Sequence, residues 1–225
     1  LGRALEANTT LGVAWGATIS VVSRHVVPKE LWNTQIVQLN GAGNPTSSGI
    51  DYASEILRRF ATAYSARVEQ FPVPAFFDDP NTKVALWRER STRRVLDVQR
   101  SMDVVLFGLG APTADVPSHV YTGGYLEPDD FDSLRAEAVV GDVATVFFRH
   151  DGSDSGIELN KRSSGPDLDV IRAVPRRICV VSGESKAAAT EGAFAAGLIT
   201  DIVLDENLAR LLIHRDTTHH VRRGG

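Results

Sequence analysis

The stretch "VVSGESKAAATEGAFAAGLITDIVLDENLARLL", residues 180–212, contains a complete strand–helix–strand–helix unit. An apolar run that ends at Val181 breaks at Ser182-Gly183, and an alanine-rich helix follows. A second apolar run, Ile202–Leu204, precedes Asp205, which can cap a last short helix through Leu212. Apolar strands that alternate with helices in this way are typical of a parallel sheet.

Lys186 lies in the first turn of the alanine-rich helix. A cation at this end of a helix is unfavourable for the helix dipole, by roughly 0.3 kcal/mol or more. A solvated lysine is the ordinary explanation for any single lysine on a helix. A bound anion opposite Lys186 is the alternative, and the other junctions of the chain favour it.

Three further apolar runs each end in a glycine-containing turn. They are Leu11–Trp15 before Gly16-Ala17-Thr18, Ile36–Leu39 before Asn40-Gly41, and Val104–Phe107 before Gly108-Leu109-Gly110. With the junction at Gly183, the pattern predicts an α/β fold: a Rossmann-like, mostly parallel sheet flanked by helices. The carboxyl ends of parallel strands meet at one edge, so all four turns should face one crevice. Glycine turns before helices expose backbone N–H groups, and phosphate is the most plausible ligand there.

The sequence between these junctions predicts further elements. We expect a helix over Asp51–Tyr64, a second over Asn81–Arg100, a helix start at Pro128 and a strand over Val143–Arg149. Ser153–Gly165 has the composition of a mobile surface loop or irregular hairpin, and residues 214–225 that of a flexible tail.

Composition narrows the class of protein. The 225 residues suit one large domain, here residues 1–213, and 43% hydrophobic with 23% charged residues is ordinary for a globular protein. The net charge is −4, whereas nucleic-acid-binding domains typically carry an excess of positive charge. The lone Cys179 should be a buried, inert thiol, and no signal peptide or membrane-spanning run is recognisable, so a cytoplasmic setting is expected. The chain starts with Leu1 rather than Met, which suggests a fragment of a longer protein.

Several chemical sites are not supported by the motifs. The turn after Val104–Phe107 lacks the third glycine of a dinucleotide fingerprint, and Gly183–Lys186 lacks the spacing of a nucleotide P-loop. No cofactor or metal is expected, because the scattered histidines fit solvated side chains better than ligands: His119, His150, His214, His219 and His220. Asp142 could either hydrogen-bond sugar hydroxyls or cap a turn.

Eight segments occur in a characteristic order along the chain: residues 12–18, 37–41, 71–75, 103–110, 124–126, 138–143, 182–187 and 197–206. In this order they resemble the effector-binding domain of the SorC family of bacterial transcriptional regulators. The resemblance covers nearly all of Leu11 to Leu212. The ordered set is far more specific than any one of its members.

The resemblance implies a fold similar to the sugar-phosphate isomerase, deaminase and CoA-transferase group. It implies a domain that is not an enzyme but binds a phosphorylated sugar, assembles as a dimer or tetramer, and acts on DNA only through an N-terminal helix-turn-helix that is absent from this chain; no membrane partner is expected. Lys186 corresponds to a lysine near the effector phosphate, and Gly16-Ala17-Thr18 to a phosphate-cradling turn, although Ala17 replaces the polar or basic residue frequent there. Asn40, Gly41 and Asp142 correspond to weaker sugar contacts.

The expected effector site therefore combines the four glycine junctions with Asp142 and Lys186. Its members are Gly16, Ala17, Thr18, Asn40, Gly41, Gly108, Gly110, Asp142, Gly183 and Lys186. Two other functions stay open at this stage: a sugar-phosphate isomerase or deaminase-like enzyme, with Asp142 as the plausible base, and a purely structural oligomerisation module.

Overall fold

The computed structural model describes residues 1–115 and 118–223, with side chains described as far as Arg215. Helices and parallel strands alternate along most of this length. The strands are β1 (Thr10–Val13), β2 (Gln35–Gln38), β3 (Arg67–Glu69), β4 (Val104–Phe107), β5 (Val139–Val143), β6 (Val146–Arg149), β7 (Arg176–Val181) and β8 (Asp201–Leu204). The helices are α1 (Ala17–Arg24), α2 (Ile50–Tyr64), α3 (Pro80–Leu86), α4 (Arg90–Arg100), α5 (His119–Thr122), α6 (Pro128–Ala136), α7 (Leu168–Arg172), α8 (Ala187–Ala195) and α9 (Glu206–Arg223).

Six of these strands form one parallel sheet in the order β3-β2-β1-β4-β7-β8. Leu11 of β1 pairs with Ile36 on one side and with Val104 on the other. After β1, the chain places β2 and β3 on one side of it. The chain then returns to the other side of β1 and places β4, β7 and β8 there. The strand order therefore reverses between β1 and β4, where open α/β sheets bind ligands. The predicted α/β fold with a mostly parallel sheet is confirmed.

Apolar residues alternate along the strands and fill a core on each face of the sheet. Leu11, Ile36 and Leu106 point toward a core that includes Phe60 of α2. Val37, Val105, Phe107 and Cys179 point to the opposite core, which contains Val95 and Leu96 of α4 and Ala193 of α8. Because both faces are covered, the central strands are apolar throughout, as the four buried residues of β4 show.

A two-stranded antiparallel hairpin, β5 and β6, lies outside the main sheet and packs against α8. The strand predicted over Val143–Arg149 is present as β6 from Val146 to Arg149, but its predicted start is wrong, since the chain turns back at Ala144 and Thr145. Both turn residues are left-handed, with φ of 48° and 69°. Tight hairpins need this conformation, but they favour glycine or asparagine, so the sequence carried no signal for the turn.

Two other sequence predictions fail for packing reasons. The helix expected over Asn81–Arg100 is divided into α3 and α4, because Trp87 lies between them and its ring centroid is 5.5 Å from those of Phe71 and Phe77. The segment Ser153–Gly165 is not a surface loop.

That segment contains a 3₁₀ turn, Glu158–Lys161, and its Ile157 and Leu159 are buried. The side chain of Asn160 pairs with the backbone N–H and C=O of Phe147, which fixes the segment to β6. Serine, aspartate and glycine gave it the composition of a loop, while two apolar residues anchor it in the core.

The helix over Asp51–Tyr64 and the helix start at Pro128 are confirmed, each within one residue. The last helix was expected to end at Leu212, but α9 continues to Arg223. No glycine or proline occurs between Ile213 and Arg223 to stop it. In the described part of the chain, no helix combines the length and apolar character that a membrane crossing requires.

Candidate ligand-binding site

A cavity of about 360 Å³ lies at the point where the strand order reverses. Its walls are the turns that follow β1, β2, β4 and β7, together with α5 and the turn of the β5–β6 hairpin. The size is at the lower end of small-molecule sites, roughly 300–1,000 Å³. All predicted site residues except one line it: Gly16, Ala17, Thr18, Asn40, Gly108, Gly110, Asp142, Gly183 and Lys186.

Gly41 is the exception and lies behind the cavity wall. Its N–H donates to Ser164 Oγ at 2.9 Å, and its carbonyl accepts from Trp15 Nε1 at 2.9 Å. A side chain here would meet the carbonyl oxygen of Val73 at 2.2 Å. Glycine is therefore required for close backbone packing, and no contact of Gly41 with a ligand follows from this geometry.

The N-terminus of α1 forms one wall. Gly16 precedes the helix in extended conformation, and the backbone N–H groups of Ala17, Thr18 and Ile19 open the first turn without i−4 partners. A Cβ atom placed on Gly108 would be 3.6 Å from Cβ of Thr18 and 3.4 Å from the carbonyl oxygen of Val180. This first turn therefore lies over the ends of β4 and β7, where its dipole favours an anion.

Lys186 contributes another part of the cavity lining. It is the last residue of the 3₁₀ turn Glu184–Lys186, which immediately precedes α8. The sequence predicted Lys186 within the first turn of that helix. Gly183 opens this turn with φ of +99°, a conformation that favours glycine. Burial lowers the pKa of Lys186, while the nearby Asp142 raises it. Lys186 lines the cavity and makes no ion pair among the described residues, although Asp142 acts on it electrostatically.

Asp142 lies within β5, not before a strand as the sequence suggested, and it is 4% exposed. Its Oδ1 accepts from the Tyr121 hydroxyl at 2.9 Å, and its Oδ2 accepts from the Thr145 N–H at 3.3 Å. Burial raises the pKa of Asp142 to about 6, against the lowering effects of these hydrogen bonds and of Lys186. Backbone hydrogen bonds of 3.0 and 3.1 Å join Asp142 to Gly110, so the hairpin is fixed to the turn after β4.

Two polar atoms at the cavity have no hydrogen-bond partner among the described residues. They are Asn40 Oδ1 and Ser118 Oγ, both shielded from solvent. Asn40 is 1% exposed and lies next to Trp15, whose Nε1 donates to the Asn40 carbonyl at 3.1 Å. Because buried polar groups are nearly always hydrogen-bonded, these two enclosed atoms are exceptions among the described residues.

Aromatic rings close the same end of the cavity. Trp15 stacks on Tyr125 at a centroid distance of 5.4 Å, and His119 lies 5.5 Å from Tyr125 and 5.3 Å from Tyr52. Trp15 and His119 line the cavity. The interpretation of His119 as a solvated histidine was therefore wrong.

Sequence analysis missed Trp15, His119 and Ser118 as lining residues of the cavity, for different reasons. Trp15 follows β1 directly, so the rule that ligands bind at the carboxyl edge could have found it. His119 and Ser118 lie far from any strand end and gave no such signal. In the described residues, no group of three or more His, Cys, Asp or Glu side chains could hold a metal ion.

Comparison with known proteins identifies the family of this domain. The family model described as "Putative sugar-binding domain" matches residues 1–214, nearly the whole chain. The chain belongs to this family. The resemblance to SorC-type regulators is confirmed, and the domain is a sugar-binding domain of the type found in transcriptional regulators.

Individual regulators and solved structures also resemble this chain. The deoxyribonucleoside regulator of Bacillus subtilis is 27% identical over 204 residues, 91% of this chain, but the chain spans only 64% of that relative's length. A domain of a possible sugar-binding transcriptional regulator from Arthrobacter aurescens TC1 is 56% identical, with a TM-score of 0.89 over 94% of this chain and 81% of that one. The full-length sorbitol operon regulator of Klebsiella pneumoniae, at 19% identity and a TM-score of 0.86 over 94% of this chain and 68% of that one, shares the fold.

Proposed function

We propose that the domain senses a phosphorylated sugar on behalf of a bacterial, cytoplasmic transcriptional regulator. The observation that supports this proposal is that Lys186, which makes no ion pair among the described residues, and the open first turn of α1 line the same cavity. A cation together with a helix N-terminus suits a phosphate group, because both favour negative charge. Gly16 and Gly183 have open space where a side chain would project, so the backbone can approach a ligand there.

Other lining residues of the cavity suit a sugar. Asp142 and Asn40 present carboxylate and amide oxygens, and hydroxyl groups of a sugar can donate to both. The rings of Trp15 and His119 offer apolar surface to the carbon skeleton. In the parent protein, the bound sugar phosphate would favour one conformation and so alter DNA binding by a segment outside this chain, within a homodimer or homotetramer.

Thermal unfolding with matched pairs of sugars and their phosphates tests the proposal. A ligand at about a hundred times its dissociation constant adds roughly 2.7 kcal/mol of stability. Stabilisation by phosphorylated members of the pairs alone is the expected result. No stabilisation by any sugar phosphate in a broad pentose and hexose panel would contradict it and favour a purely oligomeric role.

One observation favours an enzyme as the second candidate. Asp142 has a pKa near 6 and shares a cavity with Lys186, and a carboxyl group of this kind can act as a general acid or base near neutral pH. This candidate predicts slow isomerisation or deamination of a sugar phosphate that is abolished in Asp142→Asn. The sensor predicts binding without turnover in the same assay.

A further inference from the structure

We infer that the outer surface of α3, together with the arginines that follow it, is a surface on which two copies of the domain associate about a two-fold axis. The homo-oligomer of the proposed function, on which this inference rests, would have one of its interfaces there. Three features of α3 support it: exposed apolar residues, an acidic end and a basic end.

α3 exposes apolar side chains on the outside of the domain. None of its seven residues is buried, although a run of four apolar residues, Val84-Ala85-Leu86-Trp87, begins within it. Val84 is 50% exposed and Ala85 is also exposed, whereas Leu86 and Trp87 are half-buried against the core. An apolar run that the fold leaves unburied is unfavourable in water unless another surface covers it.

The end at which α3 begins is acidic. Asp78 and Asp79 come directly before the helix, and both are exposed. Asp79 Oδ1 accepts from the Asn81 N–H at 2.8 Å and so caps the helix, but neither aspartate makes an ion pair among the described residues. Lys83, the one cation of α3, donates to the Asn160 carbonyl oxygen at 3.3 Å instead. The two carboxylates therefore remain available to a cation on another molecule.

The opposite end of α3 is basic. Four arginines and a single glutamate follow the helix within eight residues. Arg94 pairs with Glu69, but Arg88, Arg90 and Arg93 are exposed and make no ion pair in the part of the chain that the structure describes. Arg90 is the first residue of α4, a position where the helix dipole disfavours a cation. These guanidinium groups are complementary to an acidic surface.

A second copy of the domain supplies both missing charges. α3 has seven residues and is about 10 Å long, so its acidic and basic ends are separated by about that distance. A two-fold axis close to Val84 makes the two copies of α3 antiparallel and places the acidic end of each on the basic end of the other. The exposed apolar residues then meet at the axis, which gives an apolar centre with a charged rim.

A nucleic acid fits the same surface less well. Its phosphates would be attracted by the arginines but repelled by Asp78 and Asp79 at the other end of the helix. A phosphate backbone also offers no apolar group to cover Val84 and Ala85. A second copy matches all three features at once.

Disulfide cross-linking tests this interface, because the one cysteine of the chain, Cys179, is buried. Val84→Cys places a thiol at the proposed axis, and a disulfide requires Cα atoms about 4.4–6.8 Å apart. Oxidised glutathione should therefore convert this variant into a covalent dimer. Val203→Cys in β8 and Val27→Cys after α1 are matched controls, since these valines are 58% and 77% exposed on other surfaces. Both should cross-link about tenfold more slowly or not at all.

Charge reversal tests the contribution of the basic end. Arg88→Glu brings like charges together across the axis, so it should slow cross-linking of Val84→Cys and, without the added cysteine, weaken dimerisation about tenfold or more in sedimentation equilibrium. Arg100→Glu makes the same change at an exposed residue at the far end of α4 and should leave both unchanged. Equal effects of the two reversals would refute the charge complementarity.

Two other outcomes overturn the inference. They are a wild type that is monomeric at about 100 µM, and a dimer that cross-links through position 203 or 27 rather than 84. Thermal unfolding of the same proteins with sugar phosphates separates this inference from the sensor. A sugar phosphate that stabilises a monomeric wild type overturns the interface and leaves the sensor intact. A dimer that cross-links through position 84 and is stabilised by no sugar phosphate supports the interface and contradicts the sensor.

Discussion

The hydroxyl of Tyr121 donates to Oδ1 of Asp142 at 2.9 Å and thereby joins α5 to the β5–β6 hairpin beside the cavity. Both residues are buried, so the bond lies in an environment of low dielectric constant. A sugar hydroxyl that reached Asp142 would contact the residue that holds these two elements together. The bond is therefore a direct route by which a ligand could shift their relative position.

Replacing Asp142 by asparagine should change how stability depends on pH. The folded protein holds the carboxyl pKa near 6, above its ordinary value of 3.8, so it binds this proton more tightly than the unfolded chain does. The contribution of the carboxyl to the free energy of unfolding is therefore present in full below pH 4 and is lost as the pH rises through 6. The two-unit shift corresponds to about 3 kcal/mol.

Urea unfolding at pH 4 and pH 7 measures this effect. From pH 4 to pH 7, the free energy of unfolding of the wild type should fall by more than that of Asp142→Asn. Asp78→Asn serves as the control because it removes a carboxyl from an exposed site. The same pH dependence in both variants would show that burial of Asp142 has no such effect.

Gly110→Ala should destabilise the fold and weaken ligand binding. The added Cβ would lie 1.8 Å from Asp142 Oδ1 and 3.0 Å from Ser118 Oγ, so the hairpin would have to shift. Overpacking of this kind costs about 1–3 kcal/mol, to be measured by urea unfolding. Gly16→Ala is the matched control for stability: no atom lies within 4 Å of its added Cβ, so an equal loss in both variants would refute the steric argument.

Ala138→Gly should stabilise the domain. Ala138 follows the C-cap of α6 with φ of 54°, is exposed, and occupies a position where glycine is preferred. Relief of left-handed strain, less the added flexibility of the unfolded chain, should raise the free energy of unfolding by about 0.5–1 kcal/mol. Ala136→Gly, at the last residue of α6, should lower it by less than the roughly 1 kcal/mol that glycine costs in a helix interior. Opposite signs are the diagnostic result, and a loss in both variants would contradict the argument.

The sheet and the position of the cavity could be predicted because both depend on local patterns. Apolar runs followed by glycine identify β1, β2, β4 and β7, and the geometry of parallel strands brings their ends together. Eight of the nine predicted residues that line the cavity lie at these four junctions, and Asp142 lies in β5.

The remaining features depend on contacts between distant segments. Gly41 follows a strand as the others do, but Val73 and Ser164 pack around it and remove it from the cavity surface. Ser118 and His119 reach the site because Tyr121 of the same region bonds to Asp142. The turn at Ala144 and Thr145 contradicts local preference and is imposed by the surrounding packing, including the 3.0 Å hydrogen bond between Thr145 and Ser163.

The most direct test of the central claim is calorimetric titration of the wild type and Lys186→Ala with a sugar phosphate that stabilises the domain. If Lys186 binds the phosphate, its loss should weaken binding by about 1.5–3 kcal/mol, the range for a hydrogen bond to a charged group, which is about tenfold or more in the dissociation constant. Lys161→Ala, which removes an exposed lysine paired with Glu158, should leave affinity unchanged. Unchanged affinity in Lys186→Ala would contradict the proposed phosphate site.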